Sequence, residues 1–206
     1  MDNTLEYKRR PFKEIALAIV VNTSMGILYV WGFFLLPLER DLLVGRAGLS
    51  LVPALALVCF TLGMVICSAL LRRFGTRILI STAFGLAAAG HLTYGFWPGY
   101  TTLLAGYGVI FGLGAGLGYG AALAVAAGVP DNNRSLAVGL VIASFVISGL
   151  ILPLAYGTAI AEAPSWVSFR NIGLALLLIG AFVMVLLPKY SARQTSAEDT
   201  PPLSWM

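Results

Sequence analysis

The sequence holds a single histidine, His91, in the otherwise apolar stretch "GHLTYG". An imidazole can carry a proton near neutral pH, and within a membrane it is a candidate for proton coupling. The alternative is a neutral ring satisfied by one carbonyl or hydroxyl. No second ligand stands near it, so no metal site is read here. A second group lies in "NTSMGILYVWGFF", where Asn22, Gly26, Tyr29 and Phe33 recur at i, i+4, i+7 and i+11, one face of a helix. An amide, a gap and two aromatics suit a bundle interior or a wet cavity better than lipid. Trp31 falls on the opposite side, so it and Tyr29 cannot line one cavity unless the helix is broken. The third group is "GYGVIFGLGAGLGYGAAL", with Gly108, Gly112, Gly116 and Gly120 every fourth residue. Tyr119 lies within about 20° of Gly108 and Gly112 on a helical wheel. It is either a contact for a passing solute or a buried tyrosine bonded to a neighbouring backbone.

Catalytic chemistry is not visible. There is no G-x-S-x-G, H-E-x-x-H or P-loop pattern and no catalytic carboxylate pair, so the sequence does not read as an enzyme and no cofactor is expected. The G-x-G-x-x-A match from Gly116 to Ala121 lacks the strand that a nucleotide fingerprint needs.

The elements that position these residues belong in a bilayer. The chain is 59% hydrophobic and 11% charged, against roughly half and a quarter in soluble domains. A helix crosses about 30 Å of hydrocarbon with about 20 residues. The apolar matter falls into six blocks near that length: 14–37, 49–71, 78–97, 102–129, 136–161 and 169–187. The expectation is an all-α, six-helix membrane bundle over 14–188, flanked by a cytoplasmic segment 1–13 and a cytoplasmic tail 189–206. The apolar run after Lys13 is too long for a signal peptide and lacks a cleavage site, so it reads as the first span.

Glycine costs a helix roughly 1 kcal/mol in water, but in hydrocarbon the backbone must satisfy itself and the helix survives. There the glycines allow close approach. Gly108, Gly112, Gly116 and Gly120 form one stripe and Gly114 and Gly118 a neighbouring one, so helices can pack against this span on more than one side. That stripe reads either as tight static packing or as a surface against which neighbours rock. Cys59 and Cys67, about 12 Å apart along one helix, cannot form a disulfide and read as core residues.

Lys and Arg set the expected orientation. With six spans, Lys8, Arg9, Arg10, Lys13, Arg72, Arg73, Arg77, Arg134, Lys189 and Arg193 share one side, against Arg40, Arg46 and Arg170 on the other. That asymmetry places both termini in the cytoplasm of a multi-pass inner (plasma) membrane protein. The net charge of +4 reflects topology, and nucleic acid is not an expected partner. No Arg, Lys, Asp or Glu sits deep in any span.

Three motifs in order carry a family resemblance. "LYVWGFFLLPLERDL" is similar to the end of the first helix, "SALLRRFGTR" to the loop after helix two, and "VPDNNRSLAVGL" to the start of helix five, of major facilitator superfamily transporters. The chain resembles the N-terminal six-helix half of such a transporter, closest to the oxalate/formate antiporter and monocarboxylate carrier branch. Arg73, Gly75 and Arg77 match the loop motif, whereas Ser68 and Arg72 replace its usual Gly and Asp. The resemblance implies two three-helix repeats of inverted topology and a substrate site between two halves at the bilayer midplane. It also implies cationic substrate contacts in the second half and an aromatic lining here, at Tyr29 and Tyr119.

The expected function is secondary transport of a small organic anion, a mono- or dicarboxylate, by alternating access with a second six-helix half from the same or another chain. Tyr29, Asn22 and Tyr119 would line the path, with His91 as the possible proton-coupling group. The alternative is a truncated or non-transporting half-carrier that acts, if at all, as an interaction partner.

Overall fold

The computed structural model describes residues 3–187. The expected tail at 189–206 lies outside the described residues. The elements are α1 (Asn3–Met25), a 3-10 turn (Gly26–Val30), α2 (Trp31–Leu42), α3 (Arg46–Phe96), α4 (Tyr100–Leu103), a π-helical segment (Leu104–Phe111), α5 (Gly112–Ala127), α6 (Asp131–Glu162) and α7 (Ser165–Leu186). Among the described residues there is no strand. Helix is what hydrocarbon permits, because every backbone donor and acceptor is then satisfied within its own segment.

Among the described residues, five helical stretches are long and apolar enough to cross a membrane: Phe12–Leu42, Arg46–Phe96, Tyr100–Ala127, Asn132–Ile151 and Ser165–Leu186. The second of these is two rods. At 1.5 Å per residue α3 would extend about 77 Å, more than twice a hydrocarbon core. It is broken at Gly75, whose φ of 78° and ψ of 165° are non-helical. This is a region that only glycine visits readily. A leading rod, 46–74, and a trailing rod, 76–96, result.

Packing shows that the two rods run in opposite directions. Along α5, Gly112, Gly116 and Gly120 meet Ala56, Phe60 and Cys67 of the leading rod in ascending order. Along the same span, Gly106 and Gly114 meet Gly90 and Ala87 of the trailing rod in descending order. The fourth apolar block is therefore clasped between two arms of one hairpin. In the same way α1 runs parallel to α6, with Asn22 against Val141 and Gly26 against Phe145. Helix α7 runs antiparallel to the trailing rod, with Gly173 against Ala88 and Gly180 against Phe84.

These pairings share one plan. Asn22, Gly26 and Tyr29 meet Val141 and Phe145 in the order and spacing with which Gly112, Gly116 and Tyr119 meet Ala56 and Phe60. The first three rods and the last three are thus two copies of one motif, inserted in opposite directions.

The chain ends of the bundle are pinned by polar contacts. Arg77 donates to the carbonyls of Met184 (3.0 Å) and Leu187 (3.4 Å), closing the C-terminal end of α7. At the opposite end Asp41 accepts the backbone N–H of Ser165 at 2.6 Å, and Tyr94 shares a 2.6 Å hydrogen bond with the Ser165 hydroxyl. Arg40 adds a bond to the Ala163 carbonyl at 3.2 Å.

Candidate functional site

Four aromatic rings from four rods converge at one level of the bundle. Tyr29, from the 3-10 turn, meets Phe145 of α6 edge-on at 5.4 Å between centroids. Tyr119 of α5 meets Phe60 of the leading rod at 5.5 Å, again edge-on. Phe145 also lies 4.9 Å from Tyr119 and 5.6 Å from Phe60. Edge-to-face contact at these separations is favourable because the positive rim of one ring meets the negative face of another.

Local structure explains how Tyr29 arrives there. A 3-10 helix advances 120° per residue instead of 100°, so five residues of it shift the face by about 100°. Asn22 and Gly26, before and at the start of the turn, are consequently buried, whereas Tyr29 is 58% exposed and Phe33 is open beside it. The single helical face expected from spacing is split at Gly26–Val30. Trp31 leaves on another side and packs against Tyr107 at 5.1 Å.

Asn22 does not reach the open wall. It is fully buried, its side-chain amide donates to the Val141 carbonyl, and its Oδ1 has no partner. Its placement is that of a peg holding α1 to α6. His91 is also fully buried and stands apart from the aromatic quartet. Its Nδ1–H donates to the Ala87 carbonyl at 2.9 Å, which leaves Nε2 as an acceptor without a partner. Phe111 (4.6 Å), Tyr107 (5.5 Å) and Phe169 (5.5 Å) enclose the ring.

The glycine stripe sits behind the wall. Gly112 and Gly116 press on the backbone of Ala56 and Phe60, Gly120 on Cys67, and Gly108 on the Leu55 side chain. Gly114 and Gly118 face the trailing rod and Met25 instead. In the loop motif, Gly75 makes the reversal, Arg77 holds the end of α7 and Arg73 lies 5.3 Å over the Phe74 ring.

Toward the end of the bundle that holds Pro130 lies the seam between α1 and α6. A groove of about 580 Å³ opens there, lined by Phe12, Ile15 and Ile19 on one side and Leu136, Ala137 and Leu140 on the other. It continues the seam that Tyr29 and Phe145 close. Among the described residues no group of three or more His, Cys, Asp or Glu could hold a metal ion.

Phe60 and Phe145 were not among the residues singled out from the sequence, nor was Asp41. A signal for the first two exists: "GILY" at Gly26–Tyr29 and "GLGY" at Gly116–Tyr119 are the same Gly-x-x-Tyr step. Comparing the two halves of the bundle would have led from each tyrosine to the phenylalanine that faces it.

The chain matches the Major Facilitator Superfamily over residues 16–205. It is 28% identical over 158 residues to a protein of Pongo abelii named monocarboxylate transporter 9, covering 76% of this chain and 30% of that one. It is 28% identical over 143 residues to the proteins of the same name from Rattus norvegicus and Mus musculus, covering 69% of this chain and 27% of each. The chain therefore spans less than a third of the length of these relatives.

Proposed function

The chain belongs to the Major Facilitator Superfamily, and from that premise we propose that it forms one wall of a secondary transporter for a small organic anion, a mono- or dicarboxylate. It is a multi-pass membrane protein of a transporter family, not an enzyme. The observation that carries the proposal is the convergence of the exposed Tyr29 and the half-buried Tyr119 on the buried Phe145, which unites residues of distant segments in one aromatic wall. Tyrosine suits such a wall because its ring offers an apolar face and its hydroxyl a donor for a carboxylate oxygen. The relatives' printed name, monocarboxylate transporter, supports the same substrate class.

The wall is one side of a path, so the reading requires a second six-helix half, from this chain's continuation, a second copy or another protein. The six rods cross the membrane, with the Arg77 end of the bundle toward the cytoplasm of the plasma membrane, as the basic residues there favour. Alternating access then rocks the halves about the wall, with the groove between α1 and α6 as its cytoplasmic mouth. Asn22 supports the wall from behind. Proton coupling through His91 requires its sealed ring to open toward the path.

The test is uptake of labelled formate, lactate or oxalate by proteoliposomes containing the chain together with the half that completes it. Uptake that is abolished in Tyr119→Ala, while that variant still folds, supports the reading. Absence of uptake for every organic anion tried overturns it in favour of a non-transporting membrane partner.

A further inference from the structure

We infer that Phe60 and Phe145 are a matched pair of specificity-determining residues, one in each inverted repeat, whose rings limit the cross-section of the carboxylate's apolar body. The inference rests on the transport reading above.

The two phenylalanines occupy equivalent places. Gly26 lies so close under the Phe145 carbonyl, and Gly116 so close under that of Phe60, that neither glycine has room for a Cβ. One turn further on, each glycine's segment presents a tyrosine to the phenylalanine it approaches. The Tyr29–Phe145 pair has a centroid distance of 5.4 Å and an interplanar angle of 80°. The Tyr119–Phe60 pair has 5.5 Å and 62°. Two half-sites are therefore built from the same three parts: a glycine that admits the backbone, a tyrosine that carries a hydroxyl, and a phenylalanine that carries none.

This division of parts decides what each can do. Only the tyrosines can donate to a carboxylate oxygen; a phenyl ring can only occupy space and offer an apolar surface. The phenyl rings also meet one another at 5.6 Å, so they join the two half-sites. The symmetry is incomplete, because Phe145 additionally contacts Tyr119 at 4.9 Å and so borders both half-sites. Phe145 is 5% exposed and Phe60 half-buried, so shortening either ring opens space directly behind the tyrosines.

The experiment measures equilibrium binding of lactate and of phenylpyruvate to the full chain in lipid nanodiscs, for wild type, Phe60→Leu and Phe145→Leu. Both variants are expected to raise the phenylpyruvate-to-lactate affinity ratio in the same direction, by about tenfold, the selectivity a few carbons of pocket space commonly provide, with Phe145→Leu at least equal to Phe60→Leu. A wild-type melting temperature shows that each variant is folded, and Phe60→Val and Phe145→Val replace any leucine variant that is not. Wild-type lactate binding with an unchanged ratio in either variant overturns the matched pair and leaves the transport reading intact. No binding of either acid by the wild type overturns the transport reading and this inference with it.

Discussion

Asp41, at the end of α2, accepts the backbone N–H of Ser165, the first residue of α7, at 2.6 Å. A helix leaves its first N–H groups without partners, and the residue preceding Ser165 is Pro164, whose side chain makes no capping bond. The missing cap comes from the other end of the sequence. Tyr94 holds the same serine by its hydroxyl, so three rods are fastened at one residue.

Asp41→Ala is expected to lower stability by about 1–2 kcal/mol, the range for losing a helix N-cap. Asp41→Asn keeps an acceptor and should recover most of that loss. Thermal unfolding in detergent compares the two; an unchanged melting temperature in Asp41→Ala would mean that the carboxylate's bond to Ser165 contributes nothing.

Gly116→Ala is expected to cost about 1–3 kcal/mol, because the new methyl meets the backbone of Phe60, which cannot turn aside. Gly108→Ala meets the Leu55 side chain first, and Gly85→Ala meets nothing within 4 Å. Their order of melting temperature should be Gly85→Ala highest, Gly108→Ala next and Gly116→Ala lowest.

At Gly75 the φ of 78° and ψ of 165° exclude other residues at an expense of about 1–3 kcal/mol. Gly75→Ala is accordingly expected to destabilise the hairpin. Cysteine pairs placed across the leading rod and α5 would report it as reduced cross-linking efficiency.

Arg77→Gln removes the guanidinium from the last carbonyls of α7 and is expected to lose about 1 kcal/mol. Arg73→Gln, whose partner is the exposed Phe74 ring, should change the melting temperature far less.

His91→Phe replaces a buried ring having one unpartnered nitrogen with a ring that needs no partner. If the pocket stays sealed, the variant folds and the pH dependence of uptake is unchanged. A flattened pH profile in proteoliposomes would instead assign the proton step to His91.

Much of the architecture was visible in the order of residues, and the losses have identifiable causes. Gly112, Gly116 and Gly120 lie along one contact surface because α5 is a regular helix from Gly112 onward, whereas Gly108 belongs to the π-helical segment and meets the Leu55 side chain. The same wheel argument separates at Gly26, where tighter winding turns Tyr29 outward while Asn22 stays inside. Nothing in the local pattern of "NTSMGILYV" announces that change of winding; the close contact of Gly26 with Phe145, far along the chain, accompanies it. Phe60 and Phe145 were hidden for a related reason. Each is an ordinary apolar residue in an apolar helix, and only the partner opposite distinguishes it from a lipid-facing phenylalanine.

The reversal at Gly75 also fixes an order of events in biosynthesis. Both arms of the hairpin leave the ribosome before the glycine-rich rod that fits between them, so the slot is made before its occupant. A bulky substitution at Gly116 therefore blocks a docking step during insertion, and its signature in cells would be an early degraded chain as well as a weakened mature one.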